Sequence, residues 1–411
     1  MYTRGYYPGP DLMPKLQPMS HAHRFPAAFW MILSCICLGS LPAQKTWVVD
    51  ASNGAGTNFK DLPAALTAAR NGDRIIVRKG SYSVATTSKG LRLIGEPGAI
   101  LGRTNVVKNF ILKDLAKGQR FSMQGFRFEG TTVWLGTRYL LELRSCKGQV
   151  HLADLVVNGS PLRHQSLYVS ACDSVTMHSC MWKPGAVFEN SHVSCSNSSF
   201  SGNHYPNGSP GVGISCYKST LELTQCSVQG SNGGGHAPSV AGLRTSFSRL
   251  VIRGDKFSRY VGGVYGQSFF SPSLQDDGNN QLELDPSVTI SPALKGFPKK
   301  VVRRMPALTS TGGSLGSSLK VRLYSPKGDL YLLLGSTPMP TLHIPGLGDT
   351  WMAAAPLFVI GSGIQGASQV SQHAIPVPKL PALRGAAIVL QAITASSSRV
   401  ELSNPSVPVL H

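Results

Sequence analysis

Short apolar segments recur along the middle of the chain, and this repetition constrains the fold more than any other feature of the sequence. Each segment holds two apolar residues separated by one position, the spacing that places both side chains on one face of a strand. The pairs are Leu91/Leu93, Phe121/Met123, Val150/Leu152, Val175/Met177, Val193/Cys195, Leu221/Leu223 and Leu250/Ile252. One such unit cannot bury its apolar face alone, so successive units must stack into a continuous core.

Stacking predicts a rod of parallel strands, each bonded to its counterparts about 4.8 Å above and below. We expect about nine or ten coils between Trp47 and Phe297, which gives a rod on the order of 45 Å long. The side chains predicted to face inward in one register are Leu152, Met177, Cys195, Leu223 and Ile252. Glycine most readily adopts the positive φ of a tight corner. The glycines assigned to such corners are Gly130, Gly159, Gly185, Gly202 and Gly230.

The composition favours an all-β fold. Charged residues make up 14% of the 411 residues, whereas the chain contains 44 Gly and 28 Pro. This balance suits many short strands and tight turns better than long surface helices. The length also leaves room for a second domain beside the rod.

The segment 46–82 shows a family resemblance. An apolar strand and a Gly-rich loop are followed by a short amphipathic helix near residues 62–70 and then by a second strand. The ordered elements Asn71-Gly72-Asp73, Ile75-Ile76-Val77 and Gly80-Ser81-Tyr82 resemble the N-terminal cap of right-handed parallel β-helix proteins of the pectate-lyase-like superfamily. The resemblance implies that the helix covers the open end of the core and that residues 46–298 form a right-handed parallel β-helix.

Beyond residue 298 the pattern changes, and a small C-terminal β domain is predicted. Residues 299–319 are interpreted as a linker and residues 320–411 as the domain. In residues 320–336 apolar and polar residues alternate as in the strands of a hairpin, with Pro326 to Asp329 as its turn. The segment 380–411 resembles the C-terminal β-sandwich end of many secreted bacterial proteins. We expect this domain to cap the open end of the rod.

The first 43 residues are predicted to be a signal peptide. Three basic residues precede an apolar stretch, residues 25–41, that is too short to span a bilayer comfortably. Cleavage after Ala43 is expected to give a secreted, periplasmic or cell-surface protein without a transmembrane segment. Lipid attachment at Cys35 is the alternative, although the residues before it are a poor match to a lipobox.

The formal net charge is +19, from 39 Lys and Arg residues against 20 Asp and Glu. Residues 1–43 contain three basic residues and one acidic residue, so their removal leaves 36 against 19. Such an excess attracts polyanions, and the partner expected for an exported protein is an acidic polysaccharide or an anionic cell surface. No motif for specific nucleic-acid recognition is present. Since the basic residues are scattered, charge that serves only solubility is the competing interpretation.

Six cysteines follow the predicted signal peptide, and two interpretations of them stay open. They are Cys146, Cys172, Cys180, Cys195, Cys216 and Cys226. An even number in an oxidising compartment permits disulfides. Small apolar thiols also stack inside a β-helix as ordinary core residues, with Cys146, Cys172 and Cys216 forming a column on one corner. The spacing CxxC, typical of zinc sites, is absent, so no metal is predicted.

Glycoside hydrolysis requires two carboxyl groups across one sugar linkage. The rod offers few acidic residues: Asp154, Asp173, Glu189, Glu222, Asp255, Asp276 and Asp277. The adjacent pair Asp276-Asp277 lies in a turn-like segment and is interpreted as solvated. The RIK and GHG signatures of polygalacturonase-type β-helices are missing, because Ala237 follows Gly235-His236.

Lyase chemistry on a uronate requires a base and a cation, often calcium, to neutralise the carboxylate. No acidic cluster suited to calcium is evident, which leaves a metal-independent lyase as the main enzyme alternative. Basic and aromatic residues in predicted turns are the candidate glycan contacts, and the competing interpretation is solvated turns. These candidates are Trp182, Lys183, His204, Tyr205, Tyr217 and Lys218.

The sequence therefore predicts a non-catalytic exported β-helix protein, a monomer that binds a polyanionic glycan or a cell surface. The alternative is a polysaccharide lyase or another carbohydrate-active enzyme acting on an acidic polysaccharide. No cofactor is expected, with calcium considered only under the lyase alternative. The catalytic residues of such an enzyme are unknown from the sequence.

Overall fold

The protein is described by a computed structural model that covers residues 44–102, 109–129, 139–158, 166–202, 211–231, 241–254, 259–261, 274–276, 280–291, 294–295, 297, 299–345 and 347–411. The predicted signal peptide and the candidates His204 and Tyr205 lie outside these ranges, as do the predicted corners Gly130 and Gly159. Within them, no helix combines the length and the apolar character needed to cross a membrane.

Three parallel sheets wind around one core, so the first part of the protein is a parallel β-helix. Sheet 1 contains Thr46–Val49, Arg74–Val77, Arg92–Gly95, Arg120–Gln124, Gln149–Ala153, Ser174–His178, His192–Ser196, Thr220–Thr224, Arg249–Arg253, Gln281–Leu284 and Lys299–Val302. Sheet 2 contains Gly80–Tyr82, Ala99–Leu101, Arg127–Glu129, Val156–Asn158, Met181–Lys183, Ser199–Ser201, Ser227–Gln229, Arg259–Val261 and Thr289–Ser291. Sheet 3 contains Thr86–Thr87, Phe110–Lys113, Leu141–Arg144, Leu167–Ser170, Ala186–Glu189, Ile214–Tyr217, Leu243–Ser246, Leu274–Asp276 and Leu294–Lys295. Within the described ranges, sheets 2 and 3 each contain nine strands, which agrees with the predicted nine or ten coils.

The inward register of sheet 1 is the one predicted from the apolar pairs. The five residues predicted to face inward pair with one another in successive strands and form a single column. All five are buried. A slip of one residue would have turned each of these side chains outward, so the i, i+2 pattern was sufficient to fix the register.

The capping helix spans Leu62–Ala68, close to the predicted extent. Asp61 precedes it, and its Oδ1 accepts a hydrogen bond of 2.9 Å from the backbone N–H of Leu62. Pro63 occupies the first turn, where its missing N–H carries no cost. Leu62, Ala65 and Leu66 are buried in the same apolar cluster as the rod interior, so the helix extends that core at its N-terminal end.

The corners of the rod differ from the glycine prediction. Of the predicted glycines in the described segments, Gly185 has a positive φ, of 35°. The backbone at Gly202 instead passes close to the backbone of Gly211, and a Cβ at position 202 would collide with the Gly211 carbonyl oxygen. Four successive corners between sheets 1 and 2 use other residues in the left-handed region: Asp154, Ser179, Asn197 and Gln225.

Hydrogen bonding between coils accounts for these unusual corners. The backbone N–H of Asn197 donates to the carbonyl of Thr224 at 3.0 Å, and that of Asp154 donates to the carbonyl of His178 at 3.0 Å. The ladder therefore continues through each corner. A left-handed residue other than glycine costs roughly 1–2 kcal/mol, and these bonds help to offset that cost.

The C-terminal part consists of two antiparallel sheets that share an apolar core. One sheet contains Ala307–Thr311, Ser318–Tyr324 and Val370–Pro376. The other contains Gly348–Ile364, Leu330–Ile344, Val389–Ala395 and Val400–Leu402. A 3-10 turn, Pro381–Leu383, precedes the last two strands. We call residues 303–411 the sandwich.

Two predictions for this region are wrong. Residues 299–319 are not a linker, since Lys299–Val302 extends sheet 1 and Ala307–Thr311 pairs within the sandwich. The predicted hairpin is absent as well, because Ser318–Tyr324 and Leu330–Ile344 belong to different sheets. The turn at Pro326 to Asp329 therefore crosses from one sheet to the other.

The sandwich lies along the outer face of sheet 1, and the prediction that it caps the end of the rod is wrong. Arg74, in the second strand of sheet 1, donates to the carbonyls of Pro381 and Ala382 at 3.1 and 2.8 Å. Further along the rod, Gln124 donates to the carbonyl of Val409 at 3.1 Å. Arg253, near the other end, bonds to the sandwich too. These contacts bury most of the polar outer face of sheet 1.

Arg253 is expected to contribute to stability through this contact. Its Nη1 donates to the carbonyls of Pro306 and Leu402 at 3.0 and 3.2 Å. The Arg253→Leu variant leaves both acceptors without this donor, so the free energy of unfolding should fall by about 2 kcal/mol. Denaturant unfolding measures this change. The exposed Arg322, on the sandwich, provides the control Arg322→Leu, and equal losses in the two variants would contradict the role assigned to Arg253.

Candidate functional site

Trp182 is a core residue and not a glycan contact, which corrects one of the candidates. It is the middle residue of the three-residue strand Met181–Lys183, and only this residue of the strand is buried. Its side chain is fully buried and stacks in register between Val157 and Phe200. The indole is therefore unavailable to a ligand at the surface.

The structure brings Tyr217 and Lys218 together and leaves Lys183 elsewhere. Tyr217 ends a strand of sheet 3, and Lys218 is the corner residue that follows it, with the Lys218 Nζ 5.1 Å from the centre of the Tyr217 ring. Lys183 is exposed just before the start of a sheet 3 strand, at the opposite edge. A four-residue strand, about 13 Å long, separates the two edges. The two lysines therefore cannot belong to one small pocket.

Phe247 completes an exposed aromatic group that the sequence did not identify. Its ring meets that of Tyr217 edge to face, with 6.1 Å between the centroids. Phe247 is 52% exposed and Tyr217 is 40% exposed, which is unusual for aromatic side chains of this size. Phe247 occupies the same corner as Lys218, one coil further along the rod, and both have a positive φ.

A second aromatic group lies on the same side of the rod. The rings of Tyr139 and Tyr168 stack with 4.6 Å between their centroids, and the Arg144 guanidinium lies 5.8 Å from the Tyr168 ring. The Tyr168 hydroxyl donates to the Glu189 carboxylate at 2.6 Å. Glu189 is in turn paired in register with Tyr217. The two aromatic groups are thus continuous.

We call this surface the sheet 3 face, defined by Arg144, Tyr168, Glu189, Tyr217, Lys218 and Phe247. Aromatic rings pack against the C–H faces of pyranose rings, while charged side chains bond to hydroxyl and carboxylate groups. Cations beside the rings favour a negatively charged ligand. The chemistry of this face suits the binding of an extended acidic sugar chain.

A different set of polar residues meets where sheet 1 contacts the sandwich. His192 begins the strand His192–Ser196, and Glu222 lies in the next strand of the same sheet, Thr220–Thr224. Asp349 belongs to the sandwich strand Gly348–Ile364. One donor atom from each of the three residues lies within 4.8 Å of the other two. We call these three residues the junction cluster.

Several neighbours hold the junction cluster in place. The Asp349 Oδ1 lies 2.7 Å from Nδ1 of His343, and Gln391 donates to the Asp349 carbonyl at 2.8 Å. Trp351 meets the His192 ring edge to face, with 5.1 Å between the centroids. Burial lowers the pKa of His192, which favours its neutral form. The side chains at the cluster are thus held from both the rod and the sandwich.

Arg249 supplies positive charge beside the cluster. Its Nη1 lies 3.6 Å from the Asp349 Oδ2, and its Nη2 lies 3.0 Å from the Glu283 Oε1. Glu222 is buried, and its Oε2 has no hydrogen-bond partner in the described part of the chain. A buried carboxylate oxygen without such a partner carries a large desolvation cost.

The other acidic candidates of the rod occupy separate places. Asp154 lies at a corner between sheets 1 and 2, whereas Asp173 forms an exposed ion pair with Lys147 at 2.9 Å. Of the acidic candidates whose side chains are described, Glu222 is the one that belongs to the junction cluster. Asp255 and Asp277 lie outside the described residues, and of Asp276 only the backbone is described.

All six cysteines after the predicted signal peptide are free and buried. Cys146 and Cys172 occupy the corner between sheets 3 and 1 in successive coils, whereas Cys216 faces inward from a sheet 3 strand. The predicted column therefore holds for two of its three members. Burial raises the pKa of Cys216 to about 11 and that of Cys180 to about 12. Such thiols are poor nucleophiles at neutral pH.

The similarity of this chain to known proteins is low. No protein-family model matches the chain, and no curated protein matches it. Pectin methylesterase PemA from Erwinia chrysanthemi is similar over 63% of this chain and 93% of its own, with 14% identity and a TM-score of 0.34. Tailspike protein 2 from Escherichia coli O157:H7 bacteriophage CAB120 is similar over 80% of this chain and 57% of its own, with 10% identity and a TM-score of 0.28.

Proposed function

We propose that this parallel β-helix protein is exported and binds an acidic glycan along the sheet 3 face without catalysing a reaction on it. The observation that carries the proposal is the exposed pair of Tyr217 and Phe247, with Lys218 beside the Tyr217 ring. Exposed aromatic groups on a soluble surface are characteristic of binding sites. Removal of the predicted signal peptide leaves 36 basic against 19 acidic residues, and this net charge of +17 adds long-range attraction for a polyanion.

The extent of the face favours a polymer over a small ligand. Arg144 and Phe247 lie on sheet 3 strands or corners that are four coils apart. At about 4.8 Å per coil, this distance is roughly 19 Å, which exceeds the size of a single sugar ring. A chain of several sugars running along the rod axis can contact both aromatic groups at once.

Replacing both exposed aromatic residues tests the proposal. We expect the Tyr217→Ala/Phe247→Ala variant to bind polygalacturonate about tenfold more weakly, a loss of ~1.4 kcal/mol. Affinity electrophoresis or sedimentation with the soluble polymer measures this change. Leu380, an exposed apolar residue of the sandwich, provides the control Leu380→Ala, which should bind as the unmodified protein does.

Two measurements distinguish attraction by the overall charge from binding at the sheet 3 face. They are the salt dependence of binding and the effect of single lysine variants. Attraction by net charge is screened over roughly 8 Å at physiological ionic strength and weakens as salt rises. Lys218→Gln should weaken binding more than Lys320→Gln on the sandwich, although both remove one charge. Equal effects would mean that only the overall charge matters. An increase in unsaturated product or in reducing ends during incubation would instead support the alternative, a lyase or another carbohydrate-active enzyme.

A further inference from the structure

We propose that the junction cluster binds one divalent metal ion of the zinc class, which joins the rod to the sandwich. The ligands are Nε2 of His192 and a carboxylate oxygen from each of Glu222 and Asp349. Imidazole nitrogen together with carboxylate oxygen is a common donor set for Zn²⁺ and its neighbours in the first transition row.

The separations between donor atoms fit a metal ion better than a direct hydrogen bond. His192 Nε2 lies 3.8 Å from Asp349 Oδ2, which is too long for a hydrogen bond. Two metal–ligand bonds of about 2.0–2.1 Å each span this distance. All three donor atoms lie within 4.8 Å of one another, so an ion requires shifts of less than about 1 Å to reach the third.

Two buried polar atoms of the junction cluster could each bind a metal ion. Nε2 of His192 and Oε2 of Glu222 are both buried and without hydrogen-bond partners in the part of the chain described. Arg249 and Arg253 attract Glu222 electrostatically, but neither donates a hydrogen bond to that oxygen. A metal ion would satisfy the nitrogen and the oxygen together.

The surroundings of Asp349 resemble the outer shell of a metal site. His343 contacts Asp349 Oδ1 at 2.7 Å, which leaves Oδ2 directed towards His192. Groups that hold a metal-binding carboxylate in this way fix its orientation and strengthen binding. Arg249 lies 3.6 Å from Oδ2 and is the competing cation, yet its closer partner is Glu283 at 3.0 Å. Arg249 can therefore keep its place beside a bound metal.

The ligands come from both parts of the protein, which assigns the ion a structural role. His192 and Glu222 belong to sheet 1, while Asp349 belongs to the sandwich. An ion bound only in the assembled state stabilises that state in proportion to its concentration and affinity. Metal binding should therefore raise the thermal midpoint of the intact protein.

Titration of the chelator-treated full chain with Zn²⁺, followed by calorimetry, tests the proposal. We expect one ion per chain and an increase in the thermal midpoint. His192→Gln and Glu222→Gln should each weaken binding by about 100-fold or more, because loss of a second-layer contact alone costs 10–100-fold. His151→Gln is the matched control, since His151 is a buried histidine on the same face of sheet 1 and outside the cluster.

Cobalt provides a readout that needs no variant. Co²⁺ bound by the junction cluster should give a spectrum of nitrogen and oxygen ligation, without the thiolate charge-transfer band that binding by cysteines would produce. Absence of binding would overturn the proposal, as would a thiolate band or equal affinities in the cluster variants and the control. Glycan binding is measured separately, so a failure here leaves the function proposed for the sheet 3 face untouched.

Discussion

The Trp182→Ala variant should lose about 3–5 kcal/mol of unfolding free energy, the range observed when a large buried aromatic residue is truncated. Trp182 is fully buried in the column that runs through Val157 and Phe200. Neighbouring coils hold these residues in place by backbone ladders on both sides, so the walls of the cavity cannot easily collapse. Denaturant unfolding followed by circular dichroism measures the loss.

Two variants make this result specific to the core. Met181 lies next to Trp182 on the same strand but points outward and is 47% exposed, so Met181→Ala should cost less than about 0.5 kcal/mol. Trp182→Phe should cost less than about 1.5 kcal/mol, since the indole N–H has no hydrogen-bond partner in the described ranges. If Trp182→Ala unfolded at the same denaturant concentration as Met181→Ala, the burial assigned to the indole would be wrong.

Sheet 1 could be predicted from the sequence because its strands contain a recognisable apolar pattern. Each five-residue strand places two apolar residues inward, as Val175 and Met177 show, and this i, i+2 pair is visible without any knowledge of neighbours. The five successive sheet 2 strands from Arg127–Glu129 to Ser227–Gln229 have three residues, of which only the middle one is buried, so they carry no such pair. Trp182 was misassigned to a turn for this reason.

Arrangements that depend on distant segments could not be predicted in the same way. Residues 318–344 alternate as two strands should, but alternation does not specify which partner each strand chooses. The strands Ser318–Tyr324 and Leu330–Ile344 belong to different sheets. The sandwich that they help to form covers the polar face of sheet 1. The cluster of His192, Glu222 and Asp349 depends on that contact. Glu222 was a candidate from the sequence, whereas nothing near it in the chain pointed to Asp349.

The sheet 3 face could be predicted from the sequence only in part. Tyr217 and Lys218 were predicted together because they are adjacent in sequence. Phe247 was missed, because a single aromatic residue in a turn is more often packed than exposed. Only the coil spacing, which places the corners at Lys218 and Phe247 one above the other, reveals that Tyr217 and Phe247 meet.

Mild acid should destabilise the protein through two buried histidines on the covered face of sheet 1. Burial lowers the pKa of His151 to about 3, with a further contribution from Arg120, and lowers that of His178 to about 4. Nδ1 of His151 lies 2.8 Å from the Thr176 hydroxyl, and Nδ1 of His178 lies 2.9 Å from that of Ser196. Both rings therefore remain neutral in the folded protein at pH values where a free histidine is charged.

The direction of the effect follows from proton binding. Above about pH 6.5 both histidines are neutral in the folded and the unfolded chain, so neither contributes to a pH dependence. As the pH falls from 6.5 towards 4, the unfolded chain takes up protons that the folded chain does not, and the unfolding free energy decreases. At pH 5 this amounts to about 2 kcal/mol for each histidine. Below pH 4 the folded state begins to bind protons as well, first at His178, and the slope becomes less steep.

The His151→Asn/His178→Asn double variant should remove most of this pH dependence, a difference of about 4 kcal/mol between pH 7 and pH 5. Asparagine retains a polar group near the position of Nδ1 but does not titrate. Unfolding free energies from denaturant titrations at the two pH values and constant ionic strength measure the effect. Gln149→Ala, a buried and non-titrating change on the same face, should lower the free energy equally at both pH values. If the double variant lost as much stability on acidification as the unmodified protein, other groups would have to account for the acid sensitivity.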